Sequence, residues 1–156
     1  YAPCPVITVR YDFNIGPEGI KSIVLPIDST LDTRQKVPFT VELAKLFNAD
    51  IHILALYSTS IRAVQRKVDN YARQVQKYMT DAGINHHTES LEADNITNIS
   101  IEYARKVNAD LIAIMTEQET TASNILLGPY AQQMVNHSPV PELSIQPKEI
   151  YSISTR

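Results

Sequence analysis

Two rhythms of apolar and polar positions alternate along the chain. Short, nearly continuous apolar runs are typical of strands buried on both faces of a parallel sheet. Between these runs, apolar residues recur every three or four positions, which predicts amphipathic helices. The predicted strands cover residues 22–28, 50–57, 84–91, 109–114 and 141–146. Strands and helices therefore alternate over most of the sequence.

The segments between the strands carry helix signals. A first helix is predicted to begin at Asp32, which can cap it with Gln35 at the third helical position. A long amphipathic helix follows and closes at Gly83, a third begins at Asp94, and a short fourth precedes the last strand. The alternation predicts an α/β fold, a three-layer α/β/α sandwich around a doubly wound, mainly parallel five-stranded sheet.

The first ten residues repeat a segment near the end of the chain. Residues 1–10 align with 137–146, and the matched positions share prolines and aliphatic residues: Pro3, Pro5, Ile7 and Val9 with Pro139, Pro141, Leu143 and Ile145. Because an offset of 136 positions is domain-sized, we expect 1–10 to be the last strand of a preceding homologous domain. A chance coincidence of two proline-flanked strands is the alternative.

This division gives the expected organisation of the chain. Residues 11–21 would be a linker, 22–147 the domain proper, and 148–156 a tail that either frays or pairs with a sheet edge.

Composition narrows the function classes. The chain has 156 residues, 44% of them hydrophobic, which fits one globular domain. A net charge of −3 offers no basic surface for nucleic acid or an anionic membrane, and the apolar runs are too short to span a bilayer. The single cysteine, Cys4, cannot form an internal disulfide. We expect a soluble, cytoplasmic protein.

The sequence indicates neither a metal site nor a catalytic group. His86 and His87 are neighbours on a predicted strand, so their side chains point to opposite faces and cannot easily share a metal. The chain also lacks a Ser/His/Asp or Cys/His grouping with a spacing typical of catalysis. We therefore expect no catalytic residues and no metal.

The loop from Met115 to Pro129 leaves the carboxyl end of the fourth strand and enters the last helix. In an open α/β sheet, such a loop is where a phosphate-bearing ligand would bind. Yet it contains no lysine or arginine, and Glu117 and Glu119 would repel a phosphate. The position of the loop favours a phosphate site, whereas its chemistry does not.

Four segments together resemble the universal stress protein family. They read I-V-L-P-I-D-S at 23–29, A-D-I-H-I-L at 49–54, N-A-D-L-I-A-I-M at 108–115 and L-L-G-P-Y-A-Q-Q-M-V-N-H-S-P-V-P at 126–141. The resemblance implies a sheet of strand order 3-2-1-4-5, of the adenine-nucleotide alpha-hydrolase type. The A-P-C-P-V-I-T-V at 2–9 resembles the closing strand of the same family, which implies an extra N-terminal edge strand.

The resemblance also identifies a degenerate nucleotide motif. Members that hold ATP carry Gly-x2-Gly-x9-Gly-(Ser/Thr) after the fourth strand, and here the same spacing gives Met115, Gln118, Gly128 and Pro129. Glycines let backbone N–H groups approach phosphate oxygens, and Pro129 offers neither an N–H nor a hydroxyl. We therefore expect this loop to have lost the backbone donors that would bind the phosphates.

Two further positions correspond to the family's nucleotide cleft. The resemblance aligns Asp28 with a carboxylate beside the adenine and ribose, and Leu56 with a small apolar residue that contacts the base. Half of the cleft would then persist. The alternative for Asp28 is a plain acidic strand end.

Three functional hypotheses follow. The first is a non-catalytic stress-response module without a cofactor, which pairs as a homodimer or with a tandem domain through the fifth strand. Its interface would use aliphatic residues of the repeated segments: Val6, Ile7, Val9, Leu143 and Ile145. The second is an ATP-binding domain with weak or no hydrolysis. The third, an unrelated flavodoxin-like enzyme, lacks any catalytic grouping to support it.

Overall fold

The computed structural model describes residues 4–116 and 129–148, which form one sheet with helices on both faces. The strands are β1 (Val6–Thr8), β2 (Ser22–Ile27), β3 (Asp50–Tyr57), β4 (His86–Glu92), β5 (Leu111–Met115) and β6 (Glu142–Ile145). The helices are a 3-10 helix (Leu31–Lys36), α1 (Val37–Phe47), α2 (Arg62–Asp81), α3 (Ile96–Lys106) and α4 (Pro129–His137).

The strand order confirms the expected topology. Strands run β1-β6-β5-β2-β3-β4 across the sheet, and all pairs from β6 to β4 are parallel. Counted from β2, this is order 3-2-1-4-5 with one extra strand at the β6 edge. That extra strand, β1, pairs antiparallel with β6 of the same chain.

The core lies in two layers, one on each face of the sheet. Alternate residues of β2 divide between them: Ile23 and Leu25 pack with α1 and α2, whereas Val24 packs with α3 and α4. Because both faces are covered, the central strands are apolar throughout, as their sequence predicts. Within 4–116 and 129–148, no helix combines the length and apolar character that crossing a bilayer requires.

The first helix differs from the prediction. A 3-10 helix fills Leu31–Lys36, and the α-helix starts only at Val37. Pro38 has no N–H for an α-helical bond to Arg34, so the preceding turn closes instead with a bond from Val37 N to Arg34 O. Asp32 therefore does not cap the α-helix, although its carboxylate accepts a 3.0 Å bond from Gln35 Nε2.

Gln35 also holds the beginning of the tail. Its carboxamide pairs with the backbone of Lys148, donating to the carbonyl at 3.0 Å and accepting from the N–H at 2.7 Å. The Gln35 amide thus makes the pair of hydrogen bonds with the Lys148 backbone that a neighbouring strand would make. Residues 149–156 of the expected tail lie outside the described residues.

Candidate functional site

The carboxyl ends of the parallel strands β2, β3, β5 and β6 lie at the same end of the sheet. Connections from β2 and β5 leave on opposite faces, since α1 packs on one side and α4 on the other. This is the switch point at which ligands bind in open α/β sheets. The residues predicted from sequence can be located relative to it.

Asp28 directly follows the carboxyl end of β2 and is half-buried. Its Oδ1 accepts bonds from the backbone N–H of Thr30 at 2.8 Å and from the Thr30 hydroxyl at 2.6 Å. The Asp28 N–H donates to Oγ1 of Thr33 at 3.1 Å. Asp28 therefore shapes the turn into the 3-10 helix, and both of these carboxylate bonds leave Oδ2 unused.

Lys36 is a cation near this turn that the sequence patterns did not single out. Its side chain is only 4% exposed, and burial lowers its pKa to about 8, while the nearby Asp28 charge acts in the opposite direction. None of the hydrogen bonds between described residues uses its Nζ. Sequence periodicity did not reveal it, because the burial of Thr33, Lys36 and Thr40 is a result of tertiary packing.

Leu56 and Met115 belong to opposite faces of the sheet. Leu56 is fully buried in the layer beneath α3 and α4, whereas Met115 is half-buried against the layer that includes α1 and α2. The structure therefore does not bring these two side chains together. Past β5, the Thr116 N–H donates to the Ile145 carbonyl at 2.9 Å, which anchors the start of the loop to β6.

The remaining positions of the motif predicted from the sequence are described only in part. Gln118 and Gly128 lie outside the described residues. Pro129 is the first residue of α4, a position where a missing N–H costs nothing because that group has no partner within the helix.

The seam between β1 and β6 holds the other predicted residues. Ile7 pairs with Leu143, flanked by Val6 with Ser144 and Thr8 with Glu142. Leu143 and Ile145 are buried in the domain core, whereas Val6, Ile7 and Val9 of the β1 segment are exposed. The residues that were predicted as an interface therefore divide into a buried and an uncovered set.

Glu142 is a buried carboxyl group in this seam. It is 3% exposed, and burial raises its pKa to about 7. Hydrogen bonding from the Ser138 hydroxyl and the charge of Arg10 act to lower it again. Sequence reasoning missed Glu142 because it fits the exposed face of an alternating edge strand equally well.

Two histidines meet at the opposite end of the sheet. His52 of β3 and His87 of β4 stack with ring centroids 5.2 Å apart, and Tyr103 of α3 meets His52 edge-on. Burial and then the neighbouring His87 lower the pKa of His52. His86 instead bonds Ile84 O through Nδ1. Among the described residues, no three His, Cys, Asp or Glu side chains are placed to hold a metal.

Asp28 does not belong to the described residues that line either of two cavities. One of about 470 Å³ sits beside the beginning of the β1 segment and the end of β6. It is bounded by Pro5, Gln35, Phe39, Ile145 and Lys148. A smaller one, of about 200 Å³, lies between α1 and α2.

Comparison with known proteins decides the family. Residues 19–145 match the family described as "Universal stress protein family". The chain belongs to the universal stress protein family. The match covers the whole parallel sheet from β2 to β6 and begins beyond β1.

Known universal stress proteins resemble this member at different levels. Universal stress protein MJ0531 of Methanocaldococcus jannaschii is 26% identical over 145 residues, which is 84% of this chain and 85% of that protein. A crystal structure of a universal stress protein in complex with cAMP superimposes with a TM-score of 0.61 at 18% identity, covering 83% of this chain and 98% of that one.

A third protein differs in length. A universal stress protein from Archaeoglobus fulgidus superimposes with a TM-score of 0.72 at 14% identity. The match covers 91% of this chain and 50% of that chain, which is therefore about twice as long as its matched part. At these identities, the solved structures support the fold alone.

Proposed function

We propose that this universal stress protein is a non-catalytic module that acts through protein contacts at the β6 edge and has lost the ATP-binding loop of its family. In this proposal, β1 is a strand of a homologous domain, supplied in tandem or by a second copy. The module needs no cofactor.

The observation that carries this proposal is the symmetry of the β1–β6 seam. Ile7 and Leu143, which pair at its centre, are also equivalent positions of the sequence repeat. Val6 pairs with the equivalent of Thr8, which is Ser144. Two equivalent strands thus meet antiparallel about a local two-fold axis, the arrangement of an isologous interface between like domains.

The different exposure of equivalent residues in β1 and β6 supports a partner domain whose helices would cover β1. Leu143 is 4% exposed, and its equivalent Ile7 is 41% exposed; Ile145 is 3% exposed, and its equivalent Val9 is 45% exposed. Of the two strands in this seam, β6 is covered by the helices of this domain and β1 is not. A homologous domain would place its own helices over β1, since a strand of this composition is ordinarily buried. The double-length Archaeoglobus fulgidus chain is consistent with such an arrangement.

Deleting residues 1–10 tests the contact function. Without β1, the unpaired β6 edge should associate or aggregate, so we expect a larger mass by light scattering or a lower solubility, together with a lower unfolding free energy. A synthetic peptide of residues 1–12 should reverse these changes, because it can add the strand back.

Deleting residues 149–156 provides the control, since it removes a similar length of chain and leaves the β1 and β6 strands intact. It should leave the mass unchanged. If the 1–10 deletion also leaves mass, solubility and stability unchanged, the contact function is wrong.

A second candidate, nucleotide binding, is favoured by one observation. Asp28 stands at the carboxyl end of β2 with Oδ2 unused by its turn, and the cation Lys36 is nearby. A relative has been solved in complex with cAMP. Against this, Met115, Gln118 and Pro129 replace two glycines and a hydroxyl residue of the family motif.

Calorimetry with ATP and magnesium separates the two candidates. We expect no binding in the low micromolar range, because backbone donors and cations are lacking in the loop sequence. The Asp28→Asn variant is the matched control. Low-micromolar binding that Asp28→Asn abolishes would establish the second candidate and overturn the loss of the site.

A further inference from the structure

Glu142 lies in the middle of three strands at the β6 edge. It pairs with Ile112 of β5 on one side and with Thr8 of β1 on the other. Because directly opposed residues share a face, its side chain lies on the same face as that of Thr8. Its burial therefore depends in part on the strand that covers this edge.

Val6 is the diagonal neighbour of Glu142 within the β1 strand, and Arg10 follows two residues after Thr8, the last residue of that strand. Positions two residues from a cross-strand partner lie about 7–8 Å away, within reach of long side chains. Val6 offers an apolar surface, and the charge of Arg10 favours the carboxylate form of Glu142. The β1 segment thus surrounds Glu142 with one hydroxyl, one aliphatic and one cationic residue.

The sequence repeat shows what a second β6 strand would put in their place. The equivalents of Val6, Thr8 and Arg10 are Glu142, Ser144 and Gln146. Pairing β6 with another β6 would therefore exchange the valine for a second carboxyl group and the arginine for an uncharged amide. Both exchanges disfavour an ionised Glu142, since like charges repel and a counter-charge is lost.

The other titratable groups on the surrounding elements do not reproduce this effect. Asp12 forms a 3.3 Å ion pair with Arg10, Asp110 ahead of β5 accepts from the backbone N–H groups of Lys21 and Ser22, and His137 ends α4. Among the charged groups of residues 4–116 and 129–148, Arg10 is the one whose charge lowers the pKa of Glu142.

We propose that Glu142 makes the β6 edge selective for the β1 strand and against a strand with the β6 sequence. This inference rests on the proposed contact function of the seam. Selectivity should be strongest at alkaline pH, above the raised pKa of the Glu142 carboxyl group of about 7, where this group is ionised, and should fade as the pH drops below that value. Glu142 would then favour pairing of β6 with β1, because it makes pairing of β6 with a second β6 strand energetically unfavourable.

The test converts β1 towards the β6 sequence in the full chain, through V6E and through R10Q. Amide hydrogen exchange of residues 6–8 reports how firmly β1 stays paired. At pH 8, V6E should raise this exchange at least tenfold over the unsubstituted chain measured at the same pH. At pH 5.5 the difference should shrink, and R10Q should act in the same direction.

The control is a single substitution in the β1 segment, and the rescue adds a second substitution to V6E. V9E adds the same charge to the β1 segment on the face away from Glu142, so it should leave the exchange difference between pH 8 and pH 5.5 unchanged. V6E/E142Q should restore slow exchange at pH 8. If V6E and V9E behave alike, or if E142Q gives no rescue, the selectivity assigned to Glu142 is overturned.

These outcomes remain separate from the proposed function. An unchanged mass, solubility and stability after deletion of residues 1–10 would refute the contact function even if V6E behaved as expected. Conversely, altered mass after deletion with no effect of V6E would refute only the role of Glu142.

Discussion

Burial of the Lys36 ammonium group lowers the free energy of unfolding, and the rest of the fold has to offset this loss. Its ammonium group is almost completely enclosed, and the lowered pKa, about 8 against 10.5, shows that the folded state favours the neutral form. A difference of this size corresponds to about 3 kcal/mol at pH values below about 8, where Lys36 is protonated in both the folded and the unfolded chain. Buried lysines are uncommon for this reason. Periodicity could not find Lys36, since a lysine reads as a surface residue.

Replacing Lys36 by methionine should stabilise the protein at pH 7. The substitution keeps an unbranched apolar stem and removes the buried charge, so the unfolding free energy should rise by up to about 3 kcal/mol. Because the folded pKa is depressed, the stabilisation should be fully present below about pH 8 and should vanish as the pH rises towards 10.5. Urea unfolding at several pH values measures both effects.

Lys45→Met is the control for this experiment. Lys45 lies on α1, is exposed and forms only a loose 3.8 Å pair with Glu42. The control should change the unfolding free energy by less than about 0.5 kcal/mol. If Lys36→Met leaves the unfolding free energy at pH 7 unchanged, burial of the Lys36 charge does not destabilise the protein.

At the scale of elements, the types of strand and helix followed from the sequence, but their first residues did not. The third helix was predicted from Asp94, whereas Asn95 is its N-cap and the helix begins at Ile96. Both residues are good caps, so sequence alone could not choose between them. The choice depends on the backbone, because Asn95 has the extended conformation that lets Oδ1 accept from Asn98 N at 3.0 Å.

Asn95→Ala should destabilise the protein by about 1 kcal/mol, because the N–H of Asn98 would lose its partner at the beginning of α3. Thermal and urea unfolding provide the measurement. Asn98→Ala is the matched control, since it keeps the backbone donor and replaces an exposed asparagine by a better helix former. Equal losses in both variants would show that the cap does not act as described.

At the scale of the whole molecule, the sheet joins segments far apart in the sequence. The β1 segment lies at the β6 edge, and Gln35 holds the backbone of Lys148. The repeat at the two ends suggested that β1 and β6 are equivalent. Only the pairing register revealed that they meet about a two-fold axis at Ile7 and Leu143, and this axis carries the proposed function.

The candidate nucleotide site was predictable only in part. The position of Asp28 after a buried strand was clear from the apolar run, whereas the faces occupied by Leu56 and Met115 depend on the pleat of each strand. Lys36 and Glu142 were missed because burial of a charged residue is a tertiary property. Gln118 and Gly128 remain predictions.

The sequence by itself determined the fold class, because the alternation of strands and helices follows from local pattern, and the family resemblance supplied the strand order. Tertiary structure decided which charges are enclosed, which faces meet and how β1 pairs. Those properties arise from contacts between distant segments, and no local pattern specifies them. Glu142 illustrates the difference: a surface-like residue in sequence becomes a buried carboxyl group only when β1 and β5 lie on either side of it.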